Sequence, residues 1–244
     1  SNLLSPIING IGASVGNLIV TEDNNKTYSI FRVSFMISFW IYSFATIILY
    51  NLLDPFIGWM FGTEYILSKS VVLVVLLNFY LNGMRGPIAT FKNKAGLFVQ
   101  DKYISVIEGL VNLFGSLILI KYFGFIGVFL GTTLSTLVTV FWSQPRVVYK
   151  YLFKRTVISY FIKYVIGIVV MLLVGGVTTF ICNLVATEIT FISLIIRGLI
   201  CLITVNSIYL LIFFRTPEIK YLITSLKVQF NLIREKVSTT ESVI

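Results

Sequence analysis

Apolar residues in this chain come in blocks too long for the core of a soluble domain. Seven stretches, 2–20, 33–53, 70–91, 103–120, 123–142, 164–186 and 189–214, are built mostly of Leu, Ile, Val, Phe, Gly and small hydroxyl residues. A helix needs about 20 such residues to cross the hydrocarbon core of a bilayer, at about 1.5 Å rise each. The pattern therefore predicts an all-α, polytopic membrane bundle of about seven transmembrane helices. The stretch 2–20 is uncharged but rich in Ser, Asn and Gly, so its polar side is expected to face protein or water. After 33–53 the run NLLDPFIGWMFGTEY carries Pro55, Gly58 and Gly62, which are expected to break the helix, with Trp59 and Tyr65 suited to the membrane interface. Pro87, two residues after Arg85, predicts a kink or an early end to the third span. In the fifth, Gly127, Gly131 and Ser135 recur four apart and form a small-residue stripe that admits a neighbouring helix closely.

The polar segments between these blocks define the remaining organisation. Residues 1–145 hold five spans, 146–163 form a basic linker, 164–214 hold a final antiparallel pair, and 215–244 form a tail. The turn between that pair, 186–190, is short. The tail opens with Thr216-Pro217-Glu218, a helix start by its capping hydroxyl, first-turn proline and acid. Ile219, Leu222, Ile223, Leu226, Phe230 and Ile233 then share one face, while Lys220, Lys227 and Arg234 fall seven apart. This is the pattern of a basic amphipathic helix lying on a membrane surface.

Composition and charge agree with that outline. Hydrophobic residues make up 57% of the 244 and charged residues 12%, half of what a soluble domain of ordinary make-up carries, at about 25%. The chain starts with Ser1, already inside an apolar segment, which suggests a longer protein whose N-terminal part precedes it. Lys and Arg number two in 21–32, four in 85–102, five in 146–163 and five from 215 onward. The alternate connections hold Lys69 and Lys121 alone, and Arg197 lies within the last span. Basic residues mark the cytoplasmic side, so the C-terminus is expected there. The basic linker sits between spans, where anionic membrane lipids are its expected partner and nucleic acid is not.

Candidate chemistry is sparse. There is no histidine, and the two cysteines, Cys182 and Cys201, lie inside apolar runs with no metal-ligand spacing; they read as small buried residues. No catalytic constellation, metal site or cofactor motif is present, and Gly124, Gly127 and Gly131 lack the strand and lysine of a phosphate loop. The chain is not expected to be an enzyme.

The ionisable residues that intrude on apolar runs stand out instead. With a turn near Gly96, Arg85 lies eleven residues before it and Glu108 twelve after, both about 16–18 Å away along helical arms. Three readings are open: a structural ion pair, a cationic or proton-linked site facing a water-filled cavity, or an interfacial Arg85 beyond a helix ended by Pro87. Asp101 and Lys102 are expected to be solvated anchors at the cytoplasmic mouth. Asn78, Asn82 and Asn112 are interhelical hydrogen-bond glue or sugar contacts. Arg197 is expected to snorkel toward the nearer end of its helix.

The segments GNLIV (16–20), LLDPFIGWMFGTEY (52–65), AGLFVQDKY (95–103), Glu108 with Asn112, and GFIGVFLGTTLS (124–135), in this order and spacing, resemble the polysaccharide repeat-unit flippases of the multidrug/oligosaccharidyl-lipid/polysaccharide exporter superfamily. The resemblance implies that the chain supplies five helices of the second lobe of a two-lobe transporter, plus a final helix pair, and that the N-terminal half lies on sequence not present here. It implies a bacterial plasma-membrane protein that flips a polyprenyl-diphosphate-linked oligosaccharide by alternating access, for capsular, cell-wall or O-antigen polysaccharide. Other glycan-assembly proteins would be its partners, and no cofactor is implied. Burial arguments offer Arg85 as a cavity cation and Asn9 and Asn82 as sugar contacts. A drug/cation antiporter of the same superfamily would use a buried acid instead, for which Glu108 is the candidate. A glycan polymerase or ligase would place basic residues in a large external loop, which this chain lacks.

Overall fold

The computed structural model describes residues 15–186 and 188–224, and all regular structure among them is helical. The helices are α1 (Asn24–Met60), α2 (Lys69–Lys94), α3 (Ile104–Phe123), α4 (Ile126–Val138), α5 (Val140–Val147), α6 (Ile158–Val185) and α7 (Phe191–Phe213). Residues 15–21 and 217–224 are also helical. A wide-turned π segment, Val148–Phe153, carries α4 and α5 on into one rod, so six rods are long and apolar enough to cross a membrane: Asn24–Met60, Lys69–Lys94, Val99–Phe123, Ile126–Phe153, Ile158–Val185 and Phe191–Phe213. The protein is thus a multi-pass membrane bundle. Of the first predicted span, residues 2–14 lie outside the described residues, and so do tail residues 225–244.

Three boundaries differ from the sequence expectation. Pro55 does not end α1, which runs on to Met60 and spans 37 residues, about 55 Å. A proline has no N–H to offer the carbonyl four residues back, here that of Asn51. That carbonyl instead accepts from Arg197 Nη1 at 3.3 Å, so the bond lost within the helix is replaced from α7. Pro87 likewise sits inside α2 and does not terminate it. The segment 146–163 is not an open linker. It is helical to Phe153, breaks only at 154–157 around a left-handed Lys154 (φ 52°), and resumes at Ile158. The reason is amphipathicity: Val148, Tyr149 and Phe153 are fully buried, while Lys150 stays exposed. Buried apolar area outweighs the charge between these positions.

The basic connections gather at one end of the bundle. Phe31, Phe91 and Phe153, each from a different basic segment, form an aromatic knot with ring centroids 5.0–6.0 Å apart. Arg155 Nη2 donates to Asn25 Oδ1 at 2.7 Å beside it. At the opposite end Trp59 meets Phe191 at 5.2 Å, tying the α1 terminus to the start of α7. The core lies among α1, α2, the π segment, α6 and α7, and is mostly aromatic: Phe31, Phe39, Tyr80, Tyr149, Tyr164 and Tyr209 all belong to it. By contrast α3 buries none of its residues and is attached to the bundle through α4.

The predicted small-residue stripe is where that attachment occurs. A Cβ on Gly131 would lie 2.7 Å from the Ser116 backbone nitrogen, and one on Gly127 would overlap the Leu119 carbonyl. Cys182 and Cys201 are buried between α6 and α7, with sulfurs 4.0 Å apart as free thiols. At the start of the tail the Thr216 hydroxyl donates to the Phe213 carbonyl at 2.7 Å and does not cap the helix that follows. The Thr216 carbonyl takes the first helical bond, from Lys220 N at 3.2 Å.

Candidate functional site

Arg85 stands on α2 nine residues before its end at Lys94, about 14 Å from the basic end of the bundle. The chain turns back at Gly96, whose positive φ of 67° suits a residue without a side chain. The returning helix, α3, brings Glu108 level with Arg85. Arg85 Nη1 donates to Glu108 Oε1 at 2.9 Å, and Arg85 Nε donates to Gln144 Oε1 on α5 at 3.0 Å. The three groups therefore join α2, α3 and α5. Pro87 lies inside the helix, so it does not end the third span beyond Arg85.

Burial of this pair is partial, with side chains 29% and 20% exposed. A guanidinium carries five N–H donors in a fixed plane. Two are engaged here, which leaves three uncommitted among the described residues. Partial burial of a charge is costly unless it is matched, and Glu108 and the Gln144 amide provide the match. Next to Arg85 lies a small cleft of about 20 Å³, room for a water molecule. A ligand would reach Arg85 from its exposed side.

The other candidate residues distribute as follows. Asn78, Asn82 and Arg85 follow one face of α2, at helical spacing i, i+4 and i+7. Asn78 is glue: its Nδ2 donates to the Phe129 carbonyl and its Oδ1 accepts from Thr133 Oγ1, both at 2.8 Å. Asn112 accepts from Ser116 Oγ at 3.1 Å, within α3. Asn82 is exposed and makes no hydrogen bond among the described residues. Asn9 lies outside them.

Asp101 is not a solvated anchor. It forms a 2.7 Å ion pair with Lys92 across the Gly96 turn, its side chain 4% exposed. Two opposite charges placed symmetrically about a tight turn neutralise each other at close range, which favours the pair over separate hydration. Lys102 is exposed, with its ammonium 4.7 Å from the Tyr103 ring.

One participant is not marked by the sequence pattern, and another has a different role from the one expected. Gln144, 3% exposed, orients the Arg85 guanidinium; a buried amide amid Val140, Phe141 and Trp142 was the available signal. Arg197, partly exposed, points toward the end of the bundle opposite the basic one, as expected, and is held there by backbone carbonyls. Its Nε and Nη2 donate to the Ala186 carbonyl at 3.1 and 2.7 Å, which closes the C-terminus of α6, and its third bond is the one to Asn51. Its role is structural. Among the described residues no cluster of three or more His, Cys, Asp or Glu could hold a metal ion. No protein-family model, curated protein or solved structure matches this chain.

Proposed function

We propose that this chain forms part of a membrane transporter that flips a polyprenyl-diphosphate-linked oligosaccharide repeat unit across the bacterial plasma membrane, with its C-terminus in the cytoplasm. The observation that carries this reading is a partly exposed guanidinium at spanning depth, with three N–H groups uncommitted. A diphosphate cannot enter hydrocarbon without a cation to meet it, and arginine's planar fork suits phosphate oxygens. Asn82 is exposed on the same face of α2 and in this reading would meet an attached sugar. A second lobe packing against this open face would complete a cavity between the two, and rocking of the lobes about it would give alternating access. The resemblance to polysaccharide flippases supports the substrate class. The gathering of basic segments at one end of the bundle supports the orientation.

A drug/cation antiporter would need an acid free to exchange protons. Glu108 is occupied by Arg85, which counts against it. Asp54, whose Oδ1 is buried without a partner among the described residues, is the group that would favour that second reading. The test is export of surface glycan by cells carrying the full-length gene. Arg85→Ala should reduce export by about tenfold or more, the loss of one charge-assisted phosphate contact. Arg85→Lys should retain a measurable part. Full export by Arg85→Ala would overturn the proposal, and loss of transport in Asp54→Asn alone would favour the antiporter.

A further inference from the structure

A second arrangement of charge lies at the basic end, away from Arg85. A cavity of about 290 Å³ opens between α1, the start of α6 and the chain leaving α7. Its walls include Phe35, Phe39, Tyr160, Ile166 and Phe213, and Arg32, Lys163 and Glu218 also line it. Glu218 arrives from the first turn of the tail helix, 217–224, and is 9% exposed.

Its Oε1 accepts from Arg32 Nε at 2.8 Å and from Lys163 Nζ at 3.2 Å, and lies 2.6 Å from Arg32 Nη2. One carboxylate oxygen thus serves two cations, and the trio keeps a net positive charge. Burial alone would raise the Glu218 carboxyl, but its backbone hydrogen bond and the Arg32 and Lys163 charges outweigh that and hold it below its ordinary value. The carboxylate is an internal anion in a site made for one.

We propose that Arg32 and Lys163 form a binding site for an anionic phospholipid. Its phosphate replaces the Glu218 carboxylate between the two cations, and one of its acyl chains enters the aromatic-walled cavity. Charge complementarity selects this occupant. A cationic pair beside an apolar cavity, near the ends of membrane-spanning rods, matches a molecule that joins a phosphate to hydrocarbon. The tail and the lipid then compete, so the start of the tail helix is held when the site is empty of lipid and released when it is filled. This holds independently of the transport reading.

The test uses the full-length protein, delipidated in a neutral detergent and given phosphatidylglycerol and phosphatidylcholine together, with bound lipid counted by native mass spectrometry. Phosphatidylcholine in the same spectrum normalises for any unfolded fraction. The wild-type protein should prefer phosphatidylglycerol. Glu218→Gln should raise that preference about tenfold, and the double variant Arg32→Gln/Lys163→Gln should abolish it. The proposal is overturned if Glu218→Gln leaves the preference unchanged or lowers it. It is also overturned if the double variant keeps the preference, or if all three proteins take up both lipids alike.

Discussion

Replacing Gly131 with valine is expected to destabilise the protein by about 3 kcal/mol, through opening of the α3–α4 hairpin. The Cβ would sit 2.7–2.8 Å from backbone atoms of Ser116, and backbone cannot swing aside as a side chain does. α3 buries none of its residues, so its close approach to α4 is the main thing that holds it against the bundle. In a bilayer, lipid competes for the same apolar surface, and helices associate through close packing of small residues. Gly176→Val is the matched control: a Cβ there meets nothing within 4 Å, and its effect should stay within about 0.5 kcal/mol. The measurement is unfolding of the purified full-length protein in an SDS titration. Equal midpoints for the two variants would contradict the packing account.

The second large effect concerns Arg85 and Glu108. Glu108→Ala leaves a guanidinium with Gln144 as its sole partner among the described residues and should cost about 2–3 kcal/mol. Arg85→Ala strands the carboxylate at similar cost. The double variant Arg85→Ala/Glu108→Ala removes both charges and should recover to within about 1 kcal/mol of the wild type, since a buried pair is often worth little net. Export separates structure from function. If the guanidinium meets the diphosphate, the stable double variant still fails to export, whereas a purely structural pair would have export restored along with stability.

Much of this arrangement was legible in residue order alone. The helical rods follow from the lengths of the apolar blocks, and the packing face of α4 from Gly127, Gly131 and Ser135. What the sequence hid were cases where a local rule was overridden by a distant partner. Pro55 looked like a helix end because the residue that repairs its missing bond, Arg197, lies 146 positions from the carbonyl it serves. Asp101 looks solvated in the sequence because its partner, Lys92, lies on the far side of the Gly96 turn within a basic segment. The stretch 146–163 looked like a linker because its charge is dense, although Val148, Tyr149 and Phe153 already marked a buried face. At the candidate site, helical level predicted that Arg85 and Glu108 could meet. It could not reveal Gln144, which arrives from α5, because no local spacing encodes a contact between rods that are not consecutive.

Every functional inference about transport rests on the basic segments lying on one side of the membrane and the alternate turns on the other. Single cysteines placed at Asn24 and at Glu188, in a background lacking Cys182 and Cys201, test this directly. Both positions are exposed, one at the start of α1 and the other between α6 and α7. A membrane-impermeant maleimide applied to intact cells should label the Glu188→Cys protein at once and the Asn24→Cys protein only after the membrane is permeabilised. Labelling of both under the same condition would place the two ends in one compartment and contradict the account.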